Sequence, residues 1–600
     1  MNCPSRTDEP EGTGKNQQPN ALAADLTTRQ DLNGLANARL LRREMNIDGI
    51  DDATVLETRA GTMPREESLE KGRRAVPEYG HHVPPSTPTS TAMGANATEL
   101  TAQEGGRGRG GGGNGPQIPT GWLMKMRKTM LTFFKFVGPG FMIAVAYIDP
   151  GNYSTDVAAG ATYKFRLLFV ILMSNIFAIF LQTLCIKLGS ISGLNLAEAC
   201  KEFSPWWLNI FLYILAEGAI IATDIAEVIG TAIAINLLIP QIPLVAGCAL
   251  SIVDVFLILL FYPSDHSKMK RLRPFEFFVM ALVLGVVICF CIQLSLIKDT
   301  SVREVFKGYL PSSAIIESEG LYQACGILGA TVMPHSLYLG SGIVQPRLME
   351  YDIKAGLHTP TEPSTSYEKN PYYPSLRAIN FCLKYSIVEL ALSLFTFALF
   401  VNSAILIVAG ASLHGSTAAD ADLFGIHDLL ASSLAPAAGT IFALALLLSG
   451  ISAGIVCTIA GQMVSEGALN WTLTPWIRRL ITRSISITPS IIIAGAVGRP
   501  GLTAALNGSQ VALSIVLPFV TAPLIYFTCR NKYMTVHVNS HGGGVGGAGS
   551  ADGEEQMSTE GQVQGAKMRN HWITCTFAVL IWLVMAAMNV ANLVLLGRGE

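Results

Sequence analysis

The decisive stretch of this chain reads Ala144-Val-Ala-Tyr-Ile-Asp-Pro-Gly-Asn-Tyr-Ser-Thr-Asp156 and lies within a mostly apolar segment, 133–161. Proline removes a backbone donor and clashes with the preceding turn, and glycine adds no stiffness, so a helix should unwind at Asp149-Pro-Gly-Asn152. Within a bilayer, the backbone groups that such a break frees are tolerated only where they line a polar cavity or meet a ligand. The carboxylate of Asp149 and the carboxamide of Asn152 therefore predict the wall of an ion site.

The composition places this break in a membrane protein. The chain has 600 residues, of which 50% are hydrophobic and 14% charged, and its mean hydropathy is +0.40. Soluble domains carry about 25% charged residues. From Thr132 onward we count about eleven apolar ranges of the roughly 20 residues that a transmembrane helix needs. They run 134–161, 166–188, 205–238, 243–262, 275–297, 320–345, 377–411, 435–466, 479–498, 503–528 and 572–597. The predicted fold is an all-α polytopic membrane protein.

Basic residues predict the orientation, because Lys and Arg are enriched in cytoplasmic loops. They cluster before the first range, between the fourth and fifth, after the eighth and before the last. These residues are Lys125, Arg127, Lys128, Lys135, Lys268, Lys270, Arg271, Arg273, Arg478, Arg479, Arg483, Arg530, Lys532, Lys567 and Arg569. The N-terminus and the loops 346–376 and 531–570 are therefore predicted to be cytoplasmic.

Residues 1–130 are polar and partly Gly-rich, so we expect a disordered tail, either regulatory or a spacer. The sequence indicates neither an oligomeric state nor whether the membrane is plasma, endosomal or vacuolar.

A second break lies in the sixth range, which reads Gly329-Ala-Thr-Val-Met-Pro-His-Ser-Leu-Tyr-Leu-Gly-Ser-Gly342. Interrupted helices at corresponding places in two halves indicate an inverted repeat with a binding site near the midplane. The odd spacing of five ranges inverts the second half, as that architecture requires. We therefore predict an inverted 5+5 repeat with discontinuous helices 1 and 6. Its first half is 131–300, its second half is 301–345 with 377–530, and an eleventh helix follows in 571–600.

The two breaks together offer the ligands of a divalent cation. Asp149 and Asn152 would supply oxygen, Met333 a thioether, and the interrupted helices free carbonyls near Ala330 and Tyr147. Oxygen ligands suit any divalent cation, but a thioether favours softer transition metals over Mg²⁺ and Ca²⁺. Mn²⁺, Fe²⁺, Co²⁺ and Cd²⁺ would all gain from the sulfur. The alternative is that Met333 only fills a gap in the core, as most methionines do.

Acidic residues cross the third range at Glu217, Asp224 and Glu227. Their spacings of seven and three place them on one helix face. Each acid at the bilayer centre costs about 2.5–3.5 kcal/mol, so three of them imply a hydrated path or a partner. Arg483, near the start of the ninth range, is the opposite charge. We interpret this set as a proton route, and the alternative is a structural ion-pair network.

Two further polar residues complete the candidate set. Gln510 lies at the start of the tenth range, where the second half would close the site. We interpret it as an additional ligand or a gate. His335 or Asp149 would lose a proton when metal binds, and the acids of the third range would relay it. Asp254 and Glu389 are isolated, and we expect them to be structural.

With these residues in view, the chain resembles the Nramp family of proton-coupled divalent metal transporters, most of all the fungal manganese and iron transporters. The resemblance covers about 130–597. It rests on Asp149-Pro-Gly-Asn152, Thr223-Asp-Ile-Ala-Glu227, Ala330-Thr-Val-Met-Pro-His335, Gly461-Gln-Met-Val-Ser-Glu-Gly467 and Ser509-Gln-Val-Ala-Leu-Ser514. One departure is Ile451, where many members of the family have Gln.

The resemblance implies a role for each candidate residue. Asp149, Asn152, Met333 and the Ala330 carbonyl would bind metal, with Gln510 joining in some states. Proton movement would use His335, Glu217, Asp224 and Glu227, with Arg483 on the exit side. Met333 distinguishes this chain from the Mg²⁺-transporting relatives, which lack the sulfur. The predicted function is import of Mn²⁺ or Fe²⁺ into the cytosol with protons by alternating access.

Other classes of protein fit the sequence less well. An organic-substrate symporter of the same fold would need helix amides free for a carboxylate, which Asp149 would repel. An intramembrane protease would need paired acids on facing helices or a His-Glu-x-x-His pattern. A channel would need a repeated selectivity filter or a ring of charged residues. The sequence has none of these.

No cysteine spacing matches a zinc site, so we expect no resident cofactor, and nothing indicates a nucleic-acid partner.

Overall fold

A computed structural model of the chain describes residues 138–253, 269–298, 300–358, 372–414, 422–469, 475–536 and 565–598. The predicted tail 1–130, Asp254 and the middle of both predicted cytoplasmic loops lie outside these residues.

The described residues are almost entirely helical. In chain order the helices are α1 (Pro139–Val145), α2 (Pro150–Tyr163), α3 (Leu168–Ser192), α4 (Leu196–Phe203), α5 (Trp206–Leu238), α6 (Leu244–Leu250), α7 (Met269–Leu296), α8 (Val302–Lys307), α9 (Ser318–Thr331), α10 (Pro334–Gly342), α11 (Gln345–Lys354), α12 (Leu376–Ser393), α13 (Leu399–Ser412), α14 (Leu423–Ser433), α15 (Pro436–Leu469), α16 (Pro475–Ala496), α17 (Arg499–Thr528) and α18 (Trp572–Arg598). A 3₁₀ turn (Ser313–Ile316) precedes α9, and a π-helical turn (Leu394–Ala398) joins α12 to α13. Two short strands, β1 (Thr535–Val536) and β2 (Ala566–Lys567), pair antiparallel with Thr535 opposite Lys567.

Eight helical stretches in the described ranges are long and apolar enough to cross a membrane. They are Leu168–Ser192, Trp206–Leu238, Arg273–Leu296, Ser318–Lys354, Leu376–Ser412, Pro436–Leu469, Arg499–Thr528 and Trp572–Arg598. The other three predicted ranges differ for identifiable reasons. The first is divided into α1 and α2, and only the start of the fourth is described. The ninth, α16, has a shorter apolar part, 480–496, because basic residues precede it. The predicted all-α membrane fold is confirmed.

Both breaks occur where they were predicted. Helix α1 ends at Val145, and α2 begins at Pro150 with Asp149 as its N-cap. Helix α9 ends at Thr331, and α10 begins at Pro334 with Met333 as its N-cap. In both cases proline stands at the first position of the new helix, where its missing N–H costs no helical hydrogen bond.

Glycines allow the first break to lie deep in the bundle. A Cβ atom on Gly230 of α5 would overlap the Pro150 ring, and a Cβ on Gly450 of α15 would also approach that ring. The break is therefore enclosed by α5 and α15, two helices that also pack extensively on each other. The site that the sequence predicts is thus surrounded by protein.

Two segments between the predicted apolar ranges contain helices. Helix α11 occupies the start of the loop 346–376, and α14 lies in the segment 412–434. Helix α11 is fixed by Asp352, whose carboxylate accepts hydrogen bonds from the Tyr372 hydroxyl at 2.7 Å and the Ser375 amide at 2.9 Å. Hydropathy did not predict these helices because each is too short for a transmembrane range. Polar contacts hold α11, whereas α14 buries Leu423, Phe424, Ile426 and Leu430.

Candidate functional site

The first break is organised by the Asp149 carboxylate. It accepts hydrogen bonds from the Asn152 amide at 2.9 Å, the Gly151 amide at 3.2 Å and the Asn152 side-chain nitrogen at 2.6 Å. Asp149 is 1% exposed and Asn152 is 0% exposed. A carboxylate at a helix N-terminus is stabilised by the free amides and by the helix dipole. The same contacts hold Asp149 in one orientation inside the bundle.

Asn152 connects the two breaks. Its Nδ2 donates to the carbonyl oxygen of Ala330, in the last turn of α9, at 3.0 Å. The Asp149 carboxylate, the Asn152 carboxamide and the Ala330 carbonyl therefore form one continuous chain of contacts. These three predicted ligands lie together, although Asn152 and Ala330 are 178 positions apart in the sequence.

A second set of hydrogen bonds joins the breaks near Met333, whose side chain is fully buried. The Ser336 hydroxyl donates to the Met333 carbonyl at 2.8 Å and lies 3.1 Å from the Tyr147 hydroxyl. Gln182 donates to the Tyr147 hydroxyl at 2.9 Å and to the Ser336 carbonyl at 2.9 Å. The backbone of Met333 is thus held at the second break by residues that also contact the first.

Gln510 lies between the two breaks. A Cβ on Gly151 would overlap the Gln510 carboxamide, and a Cβ on Gly329 would overlap the Gln510 backbone carbonyl. Gln510 is fully buried, and its Oε1 has no hydrogen-bond partner among the residues described. An unpartnered amide oxygen beside the Asp149–Asn152 pair suits the additional ligand that the sequence predicts.

The acids of α5 meet Arg483 of α16. The Arg483 guanidinium lies 3.0 Å from Asp224 Oδ1 and 3.3 Å from Glu227 Oε2, and all three side chains are buried. The Cys457 thiol lies within 4.8 Å of both carboxylates. Glu217 is partly buried two turns earlier on α5. The structure therefore brings Asp224, Glu227 and Arg483 together as an ion-pair cluster.

His335 lies at the second break rather than in this cluster. It is the second residue of α10 and is 2% exposed. Its Nδ1 has no hydrogen-bond partner within the described part of the chain. Helix α10 packs against α5, so His335 stands on a helix that links the second break to the helix carrying the acids.

Comparison with known proteins identifies the family of the chain. The family model "Natural resistance-associated macrophage protein-like" (Nramp) matches residues 140–550. The chain belongs to the Nramp family. It is 53% identical over 504 residues to the manganese transporter SMF1 of Saccharomyces cerevisiae. This alignment covers 79% of this chain and 88% of the relative. It is 54% identical over 407 residues to the iron transporter SMF3 of the same yeast, covering 68% and 84%.

A solved Nramp-family structure has the same fold. The crystal structure of the Eremococcus coleocola manganese transporter superposes with a TM-score of 0.62 at 29% identity, covering 80% of this chain and 88% of that one. The predicted inverted repeat with two discontinuous helices is confirmed.

Sequence reasoning missed two polar side chains at the first break. Asn402 of α13 donates from Nδ2 to the Tyr147 carbonyl at 3.0 Å and contacts Asn152 Oδ1 at 3.3 Å. The Ser449 hydroxyl of α15 donates to the Ile148 carbonyl at 2.5 Å. The only signal in the sequence is that Asn402 is an isolated amide in a mostly apolar run. These two side chains satisfy carbonyls that the first break frees.

The α5 cluster gives a first prediction. Glu227→Gln keeps the side-chain volume but removes a charge that faces Arg483 at 3.3 Å. If the cluster relays protons, the rise of Mn²⁺ uptake with external acidity should flatten while the KM for Mn²⁺ changes little. Uptake by proteoliposomes across an external pH series measures both.

Glu317→Gln is the matched control, because Glu317 pairs with Arg166 in an exposed contact at 3.2 Å. A Glu227→Gln protein with the wild-type pH profile would return the cluster to a structural role.

Proposed function

We propose that this chain is a secondary active transporter that imports Mn²⁺ or Fe²⁺ into the cytosol together with protons. Alternating access around the two broken helices would expose the site to each side in turn. The relatives that share about half of its residues are named manganese and iron transporters. Co²⁺ and Cd²⁺ are the further substrates that a site with a thioether would accept.

One observation carries the proposal, namely the chain of contacts from Asp149 through Asn152 to the Ala330 carbonyl. It supplies three hard oxygen ligands from two interrupted helices. Gln510 adds an amide oxygen and Met333 a buried sulfur beside the same breaks. A site that mixes several oxygens with one thioether favours a divalent transition metal over Mg²⁺ or Ca²⁺.

The alternative of an organic-substrate symporter is not favoured. Such a site would hold a substrate carboxylate on the amides at the start of a half-helix. Here the Gly151 and Asn152 amides already donate to the Asp149 carboxylate. The anion-binding position of α2 is therefore filled by the protein itself, which leaves a negative charge for a cation. Transport rather than catalysis is also the activity that the relatives' names give.

The proton component of the proposal rests on buried charge. The Asp224 and Glu227 carboxylates and Arg483 form a membrane-embedded cluster on α5 and α16. Intramembrane ionisable groups of this kind mark ion or proton paths. We propose that His335 links the metal site to this cluster, with Glu217 further along the path.

The multi-pass membrane location follows from the family and from the apolar helices. The cytoplasmic N-terminus and the choice among plasma, endosomal and vacuolar membranes belong to the proposal. So do the predicted boundaries of the two repeats and the cytoplasmic loops.

Met333→Ala tests the ligand set. Purified protein in proteoliposomes is given Mn²⁺, Cd²⁺ or Ca²⁺ outside while internal pH is recorded. For wild type we expect Mn²⁺-driven acidification and exclusion of Ca²⁺. Removing the thioether should reduce Cd²⁺ uptake more than Mn²⁺ uptake, because Cd²⁺ gains most from sulfur. The variant should also admit Ca²⁺ or Mg²⁺, because the remaining oxygen ligands suit hard cations as well.

Met585→Ala is the matched control, since Met585 is equally buried but lies on α18, outside the two repeats. Unchanged selectivity in Met333→Ala would show that the sulfur is not a ligand. A wild-type protein that moves neither metal nor protons would reopen the organic-substrate alternative.

A further inference from the structure

Asp156 of α2 is a buried acid that the site described above does not use. Its side chain is 0% exposed, and neither carboxyl oxygen has a hydrogen-bond partner in the described ranges. Buried polar groups are normally paired, and an isolated ionised carboxylate in an apolar interior is very costly. Asp156 therefore contributes no bond that would explain it as a structural residue.

The helical repeat fixes where Asp156 lies. Asn152, Asp156 and Gly160 recur every four residues and so share one face of α2. Asn152 contacts Asn402 of α13, and a Cβ on Gly160 would lie 2.7 Å from the Leu406 carbonyl of the same helix. Asp156 lies between these two contacts. It is thus placed against α13, one turn beyond the metal ligand Asn152 and away from the break.

The charged surroundings of Asp156 are sparse. Helix α13 contains no titratable side chain. Asp149, the N-cap of α2, is seven residues away, about 10 Å along the helix axis. Helix α2 itself carries Tyr153 and Tyr163, and His414, just after α13, lies 3.2 Å from the Ala161 carbonyl of α2. The other helices that pack on α2 carry Tyr213, Glu217, Asp224 and Glu227 (α5), Glu319, Tyr322 and Cys325 (α9), His427 and Asp428 (α14), Cys457 and Glu466 (α15), and Arg499 and Tyr526 (α17). Of these, Asp224 and Glu227 are paired with Arg483.

We propose that Asp156 is a second proton-binding site of the transport cycle, an inference that rests on the proposed function. By the predicted orientation, the far end of α2 is extracellular, so Asp156 lies on the outward side of the metal ligands. The carboxylate takes up one proton from the outside and becomes a neutral acid that can be buried without a partner. The same group gives that proton up when it ionises again.

A proton fits this position better than a metal ion does. Divalent cations in proteins take about four to eight ligands. The face of α13 beside Asp156 offers aliphatic side chains, among them Ile405, Leu406 and Ala409. One carboxyl group in such surroundings can bind a proton but cannot complete a metal site.

The position also provides a coupling mechanism. A divalent ion on Asp149 places positive charge about 10 Å from Asp156, through a medium that screens less than water. That charge favours the ionised form of Asp156. Metal binding would therefore release the proton that Asp156 holds. In the coupled cycle this proton passes inward to the Asp224–Glu227–Arg483 cluster, so that it enters the cytosol with the metal. A proton returned to the outside would not be counted with the metal. Metal and proton binding would thus be linked although the two sites share no atom.

Asp156→Asn tests this proposal, because it keeps the volume and removes the titratable group. Protons and Mn²⁺ entering proteoliposomes are counted together over a series of external pH values. We expect the number of protons moved per Mn²⁺ to fall by about twofold, since one of the coupled proton sites is lost. The pH dependence of uptake should flatten, the KM for Mn²⁺ at neutral pH should be retained, and the thermal unfolding midpoint should not fall. Asp156→Glu should restore the proton count.

Ser154→Ala is the matched control, since Ser154 is buried on another face of α2 and donates to Asn507 at 2.7 Å. An unchanged proton count and pH profile in Asp156→Asn would overturn the proposal. A raised KM with an unchanged proton count would make Asp156 a metal ligand instead, and a protein that no longer folds would make it structural. If wild type moves Mn²⁺ without protons, the proposed coupling itself fails, and the inference about Asp156 fails with it.

Discussion

Asp149→Ala is expected to abolish Mn²⁺ uptake. We expect the initial rate to fall by more than about 100-fold, because losing even an outer partner of a metal ligand costs 10–100-fold in affinity or activity. Asp149 provides the only carboxylate among the five predicted metal ligands, so the variant leaves a dication facing amides, a carbonyl and a thioether. Initial rates of Mn²⁺ uptake by proteoliposomes measure the loss.

The same substitution has a second consequence, which must be separated from the first. The Asp149 side chain also caps α2 through the Gly151 and Asn152 amides. Removing such a cap costs about 1 kcal/mol of stability. A reduced amount of folded protein is therefore expected, and rates must be normalised to the folded fraction.

Asp422→Ala is the control for that effect. Asp422 caps α14 in the same manner, accepting from the Phe424 amide at 3.0 Å and the Gly425 amide at 2.7 Å. It lies outside the two breaks. The control should lose stability but keep transport. Substantial Mn²⁺ uptake by correctly folded Asp149→Ala protein would contradict the assigned site.

The sequence was sufficient to predict the two breaks and their partners. Proline at the start of a half-helix and polar residues beside it leave a local signal that does not depend on tertiary structure. The Asn152–Ala330 contact then follows from the inverted repeat, which places two interrupted helices against each other. The pairing of Arg483 with Asp224 and Glu227 was predictable because buried charges in a membrane need partners.

The residues that sequence reasoning missed have no local signal of that kind. Asn402 and Ser449 lie in continuous helices, and each satisfies a backbone carbonyl of another helix. Which carbonyls a break leaves free, and which helix faces them, depends on packing. The register of α13 against α2 thus decides that Asn402 reaches the site, whereas the sequence alone shows only an isolated amide.

Helix α11 and Glu389 show the same limit. The start of the loop 346–376 is helical because Asp352 binds Tyr372 and Ser375. Glu389 was interpreted from sequence only as an isolated structural acid. Its partners are backbone amides, which no pattern of side chains can indicate.

Glu389→Ala is expected to destabilise the protein and to reduce transport with it. The Glu389 carboxylate accepts from the Gly138 amide at 2.9 Å and from the Gly140 amide at 3.0 Å, at the start of α1. Helix α1 has only seven residues and carries no side-chain cap of its own. Hydrogen bonds to a charged group contribute about 1.5–3 kcal/mol each, and buried amides left unpaired add a penalty. We expect a loss of about 2–4 kcal/mol, seen as a lower thermal unfolding midpoint in detergent.

Transport should fall as well, because α1 leads directly into the first break. The turn after α1 supplies the Tyr147 and Ile148 carbonyls that Asn402 and Ser449 bind. Gly138 also packs against the buried Glu276–Arg347 pair, and its φ of 150° together with the lack of a Cβ permits that approach. A loosened start of α1 would therefore misplace the proposed ligands Asp149 and Asn152 that follow it.

Two variants separate this anchoring from a general effect of losing a carboxylate. Glu389→Gln retains one acceptor oxygen for the Gly138 and Gly140 amides and should recover most of the stability and uptake. Glu304→Ala removes an exposed partner of Lys164 and should change neither, because exposed ion pairs contribute about 0–1 kcal/mol. If Glu389→Ala kept the wild-type unfolding midpoint, the carboxylate would not be what holds α1. If the midpoint fell but uptake by the folded fraction were normal, Glu389 would anchor α1 without controlling the geometry of the proposed metal site.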